Sequence, residues 1–384
     1  MKTRFFLILI LISFLQFSCR KKTDNIGNVI DSDITENTTW TKDKVWIIQN
    51  TVEIKNNAVL TIEAGTTVKF DKNAELDVGS DSYGTLIAKG TSSEPIVFTS
   101  NSDVPNKGDY YGIWLYNGAN NCDFEYCTFE YGGGYSNTSG IVNVSETNAS
   151  FKNCTFQHSA AYGILLYKGG FASFSSNIFN DNAVNPISIY ADHIEDMGTG
   201  NVFDGGNIDV CAENLTKSGT VEWKNQGIPY VIDGDVYVAS ASGTILKIDA
   251  GCQIKFKLNA ELAIGDNTNH GQILAQGSSS QPIIFTTAAV SPTKGDWYGI
   301  SFYDGAMNGS KLEYCTISYA GGYDTKYSGD ITVYGNVGST LSISNCTISN
   351  SAGWGIYVDH NFSTADPSVS NISFSNNTSG NKNF

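Results

Sequence analysis

Leu60-Thr-Ile-Glu-Ala-Gly-Thr-Thr-Val-Lys-Phe70 is the stretch that decides the fold, and it occurs twice. It returns as Leu246-Lys-Ile-Asp-Ala-Gly-Cys-Gln-Ile-Lys-Phe256. In each copy apolar and polar residues alternate on either side of an Ala-Gly turn, the pattern of two short strands with one buried and one wet face. The duplication extends outward from there. Pro95-Ile-Val-Phe-Thr99 reappears as Pro282-Ile-Ile-Phe-Thr286, Lys107-Gly-Asp-Tyr-Tyr-Gly-Ile113 as Lys294-Gly-Asp-Trp-Tyr-Gly-Ile300, and Glu125-Tyr-Cys-Thr128 as Glu313-Tyr-Cys-Thr316. A repeat this long, made of short β-type runs, indicates a stacked architecture.

The runs between these motifs are equally brief. Val45–Ile48, Thr51–Ile54, Leu76–Val78, Thr85–Ala88 and Ile96–Phe98 are separated by Asn, Gly, Asp and Ser, which supply turn conformations. No two-residue Asn-Gly loop separates these runs, so an antiparallel meander is disfavoured. Stacking into a coil is the alternative. Cys127, Cys154 and Asn177 occupy similar contexts at spacings of 27 and 23 residues, which are plausible rungs. The expected fold is therefore all-β, a solenoid of roughly fourteen rungs at about 24 residues each, about 65 Å long. Copy one spans 40–222 and copy two 223–384. Strand character persists between them, through Asn201–Val210 and Gly219–Trp223, so one continuous coil is expected over 40–384.

Composition narrows the function. Charged residues make up 16% of the chain and the net charge is −15. Nucleic acid is excluded as a partner, since binding it needs a basic stripe. Residues 1–18 read as a leader, with Lys2 and Arg4 ahead of the apolar run Phe5–Leu15. Removing those two cations takes the charge to −17. Residues 19–39 are polar and without period, and read as a tether. Seven cysteines remain after Cys19; Cys127, Cys154, Cys315 and Cys346 share the context apolar-x-x-Cys-Thr-apolar, which reads as a buried stack of thiols. No Cys-x-x-Cys pair or nearby histidine completes a zinc site.

Two resemblances follow from these residues. Phe17-Ser-Cys19 at the end of the apolar run resembles a bacterial lipoprotein processing site of the Bacteroidetes type, which implies lipidation at Cys19 and anchoring in the outer membrane. From Trp40 onward the repeated Leu-Thr-Ile-Glu-Ala-Gly motif, Gly84-Thr-Leu-Ile-Ala-Lys-Gly90, Tyr111-Gly-Ile-Trp114 and the Asn-Cys-Thr rungs resemble the right-handed parallel β-helix proteins of the pectin-lyase-like fold, and more narrowly the repeat lipoproteins of Bacteroidetes. In that fold, lyases imply an arginine or lysine base with Ca²⁺, and hydrolases an aspartate cluster. Here no arginine follows Arg20 and no Asp-Asp pair exists; Lys69, Lys255 and Lys257 remain as lysines on rungs.

Candidate site residues fall into two groups. Acid–base candidates are Glu125 with Glu130, and Asp192 with His193 in Asp192-His-Ile-Glu-Asp196; Glu130 has no counterpart in copy two, where Ser318 stands. Turn aspartates Asp109 and Asp296 recur in both copies. No dedicated metal site is expected, although Ca²⁺ is compatible with Asp233/Asp235 or Asp192/Asp196. The second group is aromatic: Tyr110, Tyr131 and Tyr135 in copy one, Trp297, Tyr319 and Tyr323 in copy two, beside Gly-rich loops and hydroxyl side chains. Such rings either pack the core or stack on sugars. The expectation is a non-catalytic, lipid-anchored surface protein that binds or displays a glycan or a protein partner; the alternative is a polysaccharide-active lyase or hydrolase.

Overall fold

The computed structural model describes residues 28–336 and 340–384. The leader and Cys19 lie outside the described residues. Among the described residues every ladder between strands is parallel, and the strands form five sheets: A with eight strands, B with thirteen, and C, D and E with six each. The chain is a right-handed parallel β-helix. Sheet B alone spans thirteen levels, and Ile34, which bridges to Ile54, adds a fourteenth. The tether needs a correction. Asn28–Ile30 pairs with Val45–Ile48, and Thr38–Trp40 with Ala58–Ile62, so residues 28–39 already belong to the coil and the expected boundary at 40 does not hold. Polar Asn28 and Thr38 hide this start, because a strand on an outer rung keeps only its inward residues apolar.

Strands alternate as the sequence suggests. Thr67–Phe70 buries Val68 and Phe70 and leaves Thr67 and Lys69 toward solvent. Inward residues stack on like residues one rung away. Phe98, Phe129, Phe156, Phe179 and Phe203 form one column with ring centroids 4.9–5.2 Å apart and nearly parallel planes. Cys127, Cys154, Cys315 and Cys346 are free thiols inside the coil, donating to backbone carbonyls such as that of Ala88 at 3.2 Å. Asn177 continues the stack: it accepts from the Cys154 amide at 3.0 Å and donates to the Phe151 carbonyl at 3.0 Å. Corners use the left-handed region, chiefly at asparagines such as Asn50, Asn73, Asn153 and Asn259, which tolerate it better than other residues with a Cβ.

The two copies do not repeat in the same sheets. Up to Tyr190 consecutive strands visit A, B and C in turn; beyond Gly219 they visit E, B and D. Thr67–Phe70 lies in sheet A, whereas its equivalent Gln253–Phe256 lies in sheet B. Glu75–Val78 lies in sheet B, its equivalent Glu261–Ile264 in sheet D. At the junction sheet A ends at Val202–Phe203, and sheet D starts where Leu215 bridges to Val238. A 3₁₀ helix, Ala191–Asp196, sits between Gly170–Ser175 of sheet C and Gly219–Trp223 of sheet E. Sheet B runs unbroken through both copies.

Candidate functional site

Outward-facing residues on one rung stand over those on the next, so chemistry on this fold is written in columns. In copy two the column on sheet D reads Tyr237, Ala263, Ser301, Thr332, Tyr357. Beside it lies a cavity of about 370 Å³. Its walls are phenolic: Tyr303 stacks on Tyr334 at 5.4 Å, Tyr298 meets Tyr323 edge-on at 5.5 Å, and Tyr237 closes one end. Its floor carries Glu261, which is 8% exposed and accepts from the Tyr303 hydroxyl at 3.1 Å. Burial raises the Glu261 carboxyl above its usual range, and burial raises Asp235 as well.

Tyr323 stands at the mouth, 71% exposed, on a loop fixed from below. Tyr319 opens that loop at φ +67°, a costly conformation for a bulky residue. The buried carboxylate of Asp330 accepts from the Ala320 amide at 2.9 Å, and burial holds Asp330 well above the ordinary aspartate range. Gly322 is required by close approach, since a Cβ there would lie 2.2 Å from the Gly295 carbonyl oxygen.

Copy one builds the same frame on sheet B. Tyr131 has φ +67°, a Cβ on Gly134 would lie 2.1 Å from the Gly108 oxygen, and Tyr111 meets Tyr135 edge-on at 5.3 Å. The column differs: Glu53, Asp77, Trp114, Asn143. Thus Tyr237, Ala263 and Ser301 of copy two stand where copy one has Glu53, Asp77 and Trp114. Glu53 accepts from the Asp81 amide at 2.6 Å and from Lys55 at 3.2 Å, and Lys55 also reaches Asp33 at 2.8 Å. Asp77 has no such support. Burial first, then the charges of Glu75, Glu53 and Asp33, push its carboxyl up to about 7. Its Oδ1 and the neighbouring Trp114 Nε1 are both buried without a hydrogen-bond partner. Tyr116 lies nearly parallel to Trp114 at 6.1 Å, and Tyr135 approaches it edge-on at 5.5 Å.

Several expected site residues are elsewhere. Tyr110 and Trp297 are completely buried, stacked on Phe70 at 4.2 Å and on Phe256 at 4.0 Å; they are core residues and line no binding surface. Tyr131 is half-buried against His158 at 5.1 Å, and Tyr319 is likewise half-buried. Only Tyr135 and Tyr323 of the six reach out of the surface. Glu125 lies on sheet C and Glu130 on sheet A, where Glu130 accepts from Thr99 and Gln157; the two do not form a carboxylate pair. Asp192 and His193 belong to the 3₁₀ helix and are spent on the junction. Asp192 accepts from Thr216, His193 pairs with Asp196 at 2.9 Å, and Lys217 bridges Glu195 at 2.7 Å. A wider hollow of about 790 Å³ includes Lys255, Lys257, Asp209 and Asp233, but Lys257 pairs with Asp233 at 2.8 Å and Asp209 accepts from Tyr162 at 2.8 Å. Asp109 and Asp296 cap their own turns, accepting from Asn106 and Thr293 amides. Among the described residues no group of three or more His, Cys, Asp or Glu is placed to hold a metal ion.

Glu53, Asp77 and Glu261 escaped the sequence reading. The signal that identifies the first two is their separation of 24 residues, one rung, at matching outward positions before Ile54 and Val78.

Comparisons with curated proteins and with solved structures return no match. A family model described as a pectate-lyase-like beta-helix domain matches residues 32–152 and again 214–334. Those two segments cover well over half of the sequence and correspond to the two copies, so the chain belongs to the pectate-lyase-like β-helix domain family.

Proposed function

We propose that the protein is a non-catalytic carbohydrate-binding scaffold, held at a bacterial cell surface, whose β-helix presents the tyrosine-lined pocket of copy two to a sugar chain. The pocket itself carries the reading. Sugar rings have apolar faces and hydroxyl edges, and a cavity walled by phenol rings over a buried carboxyl offers surfaces for both. The ligand class is neutral: Glu261 and Asp235, in a chain of net charge −15, disfavour a uronate. Membership of a pectate-lyase-like family is in keeping with a polysaccharide ligand. The leader over 1–18, followed directly by Cys19, supports export and a lipid anchor in the outer membrane, with the coil displayed beyond it.

The test is retention of the purified protein in gels or on beads carrying xylan, β-glucan or mannan. Retention on at least one is expected, weakened roughly tenfold or more by Tyr323→Ala, a change at an exposed position that leaves the coil intact. Absence of retention on all three overturns the reading, and release of reducing or unsaturated ends would make the protein an enzyme instead.

A further inference from the structure

We propose that copy one carries a second carbohydrate site of different chemistry, centred on Asp77 and Trp114, so that one molecule holds two sugar chains at once. This rests on the carbohydrate reading of copy two and extends it.

Two observations point to a ligand there. Asp77 is 8% exposed, sits on the outward column of sheet B, and leaves Oδ1 without a partner; one rung away the Trp114 Nε1–H is also buried and unpartnered. Buried polar atoms are nearly always paired, so an acceptor and a donor left open on adjacent rungs call for a group that satisfies both. A hydroxyl does so, accepting from Trp114 and donating to Asp77. A cation would face the Trp114 N–H dipole, and an anion would face Asp77, Glu75 and Glu53, so neither fits. Lys55, which pairs with Glu53 on the same column, is already shared among Asp33, Glu53 and Asp81. The wall beside this donor–acceptor pair is aromatic, from Trp114, Tyr116 and Tyr135, which suits the apolar face of a sugar ring.

The two sites cannot lie along one straight groove. Site one is on sheet B; site two is on sheet D. Followed toward copy two, the column of site one continues as Leu165, Ser188, Asp209, Val231 and Lys255, with no aromatic residue. Sheet B advances seven levels from Glu75–Val78 to Gln253–Phe256, which leads directly into the strand of Glu261, a separation of roughly 34 Å at the inter-strand spacing. The shift of each strand type to the next sheet at the junction is what turns two equivalent sites into two separately directed ones.

The experiment uses two colours of beads coated with whichever of xylan, β-glucan or mannan retains the protein. Wild type should bridge the two colours. Trp114→Phe, which keeps an aromatic ring and removes the N–H, and Asp77→Leu, which removes the acceptor, should each still bind but bridge at least about tenfold less, as should Tyr323→Ala. Combining Tyr323→Ala with Trp114→Phe should abolish retention. A protein that bridged by dimerising would still bridge after losing either site, so full bridging by Trp114→Phe and Asp77→Leu overturns the second site while leaving the first. Retention without bridging by wild type overturns it too. Absence of retention on any polysaccharide removes both readings, and unchanged circular dichroism of the variants excludes misfolding as the cause.

Discussion

Asp77→Asn should make the protein more stable, and only above acid pH. The Asp77 carboxyl titrates near 7 in the fold against 3.8 in an open chain. A carboxyl whose folded value is raised binds an extra proton in the native state between those two values, so stability falls as pH climbs from about 4 to about 7 and is level beyond. Three pH units at about 1.4 kcal/mol each set an upper bound near 4 kcal/mol for the cost of ionising Asp77 at pH 8. Local relaxation and water at the partly open column reduce this, so about 2–4 kcal/mol is expected. The groups facing Asp77 are Glu53, Glu75 and Asp33, all of which oppose its ionisation, while Lys55 is engaged with Glu53, Asp33 and Asp81. Asparagine keeps the volume, removes the charge and offers its amide to Glu53 on the neighbouring rung. Urea midpoints for wild type and Asp77→Asn, measured at intervals from pH 4 to 8, isolate the contribution of Asp77 and its coupling to Glu53, Glu75 and Asp33, because titrating groups that do not interact with Asp77 cancel in the difference. The variant should gain about 2–4 kcal/mol at pH 8 and be within about 1 kcal/mol of wild type at pH 4. A variant equal to wild type at pH 8, or a difference that does not change with pH, refutes the argument that Asp77 is buried without compensation.

Phe129→Ala removes the second ring of the phenylalanine column, between Phe98 at 5.0 Å and Phe156 at 4.9 Å, and should cost about 3–5 kcal/mol in chemical unfolding. Asp330→Ala should loosen the loop that presents Tyr323 by removing the acceptor of the Ala320 amide, and should weaken polysaccharide retention as Tyr323→Ala does. Asp330→Asn keeps that acceptor and should retain wild-type binding; equal loss in both variants would mean that the loop is not held through this bond.

The fold was largely legible because its rules are local. Alternation in Thr67-Val-Lys-Phe70, turn residues between runs and the Cys127–Cys154–Asn177 spacing each depend on a few neighbours, and each holds in the structure. The site was less legible for a physical reason. Whether an aromatic residue packs inward or outward depends on strand parity and on the corner before it, and Tyr110 and Tyr111 differ by one position yet lie on opposite sides of the wall. Composition around Tyr110 and Trp297 resembles that of a binding loop, but both rings fill the coil against Phe70 and Phe256. Glu53 and Asp77 were hidden by the opposite problem, as single acids inside ordinary-looking strands whose pairing appears only once rungs are stacked. The dense Asp192-His-Ile-Glu-Asp196 group drew attention by composition, although it serves the junction.

That junction explains how duplication produced divergence and not redundancy. A coil can accept a new copy only if the ladder hydrogen bonds continue, and sheet B satisfies that by running through thirteen levels. Continuity of one sheet does not require the same strand type on it. With Leu215 starting sheet D and Phe203 ending sheet A, the second copy enters one sheet out of phase. Its inward residues still meet apolar residues, since Tyr230, Ile254, Phe285 and Ile317 continue a column that copy one begins at Ile208. The core therefore tolerates the slip. The outward columns do not share that constraint, because no ladder or packing ties Tyr237, Ala263 and Ser301 to Glu53, Asp77 and Trp114. The frame, with the strained Tyr131 and Tyr319 and the glycine crossings, is therefore common to both copies, while the residues over it differ, acidic and indole-bearing in copy one and phenolic in copy two.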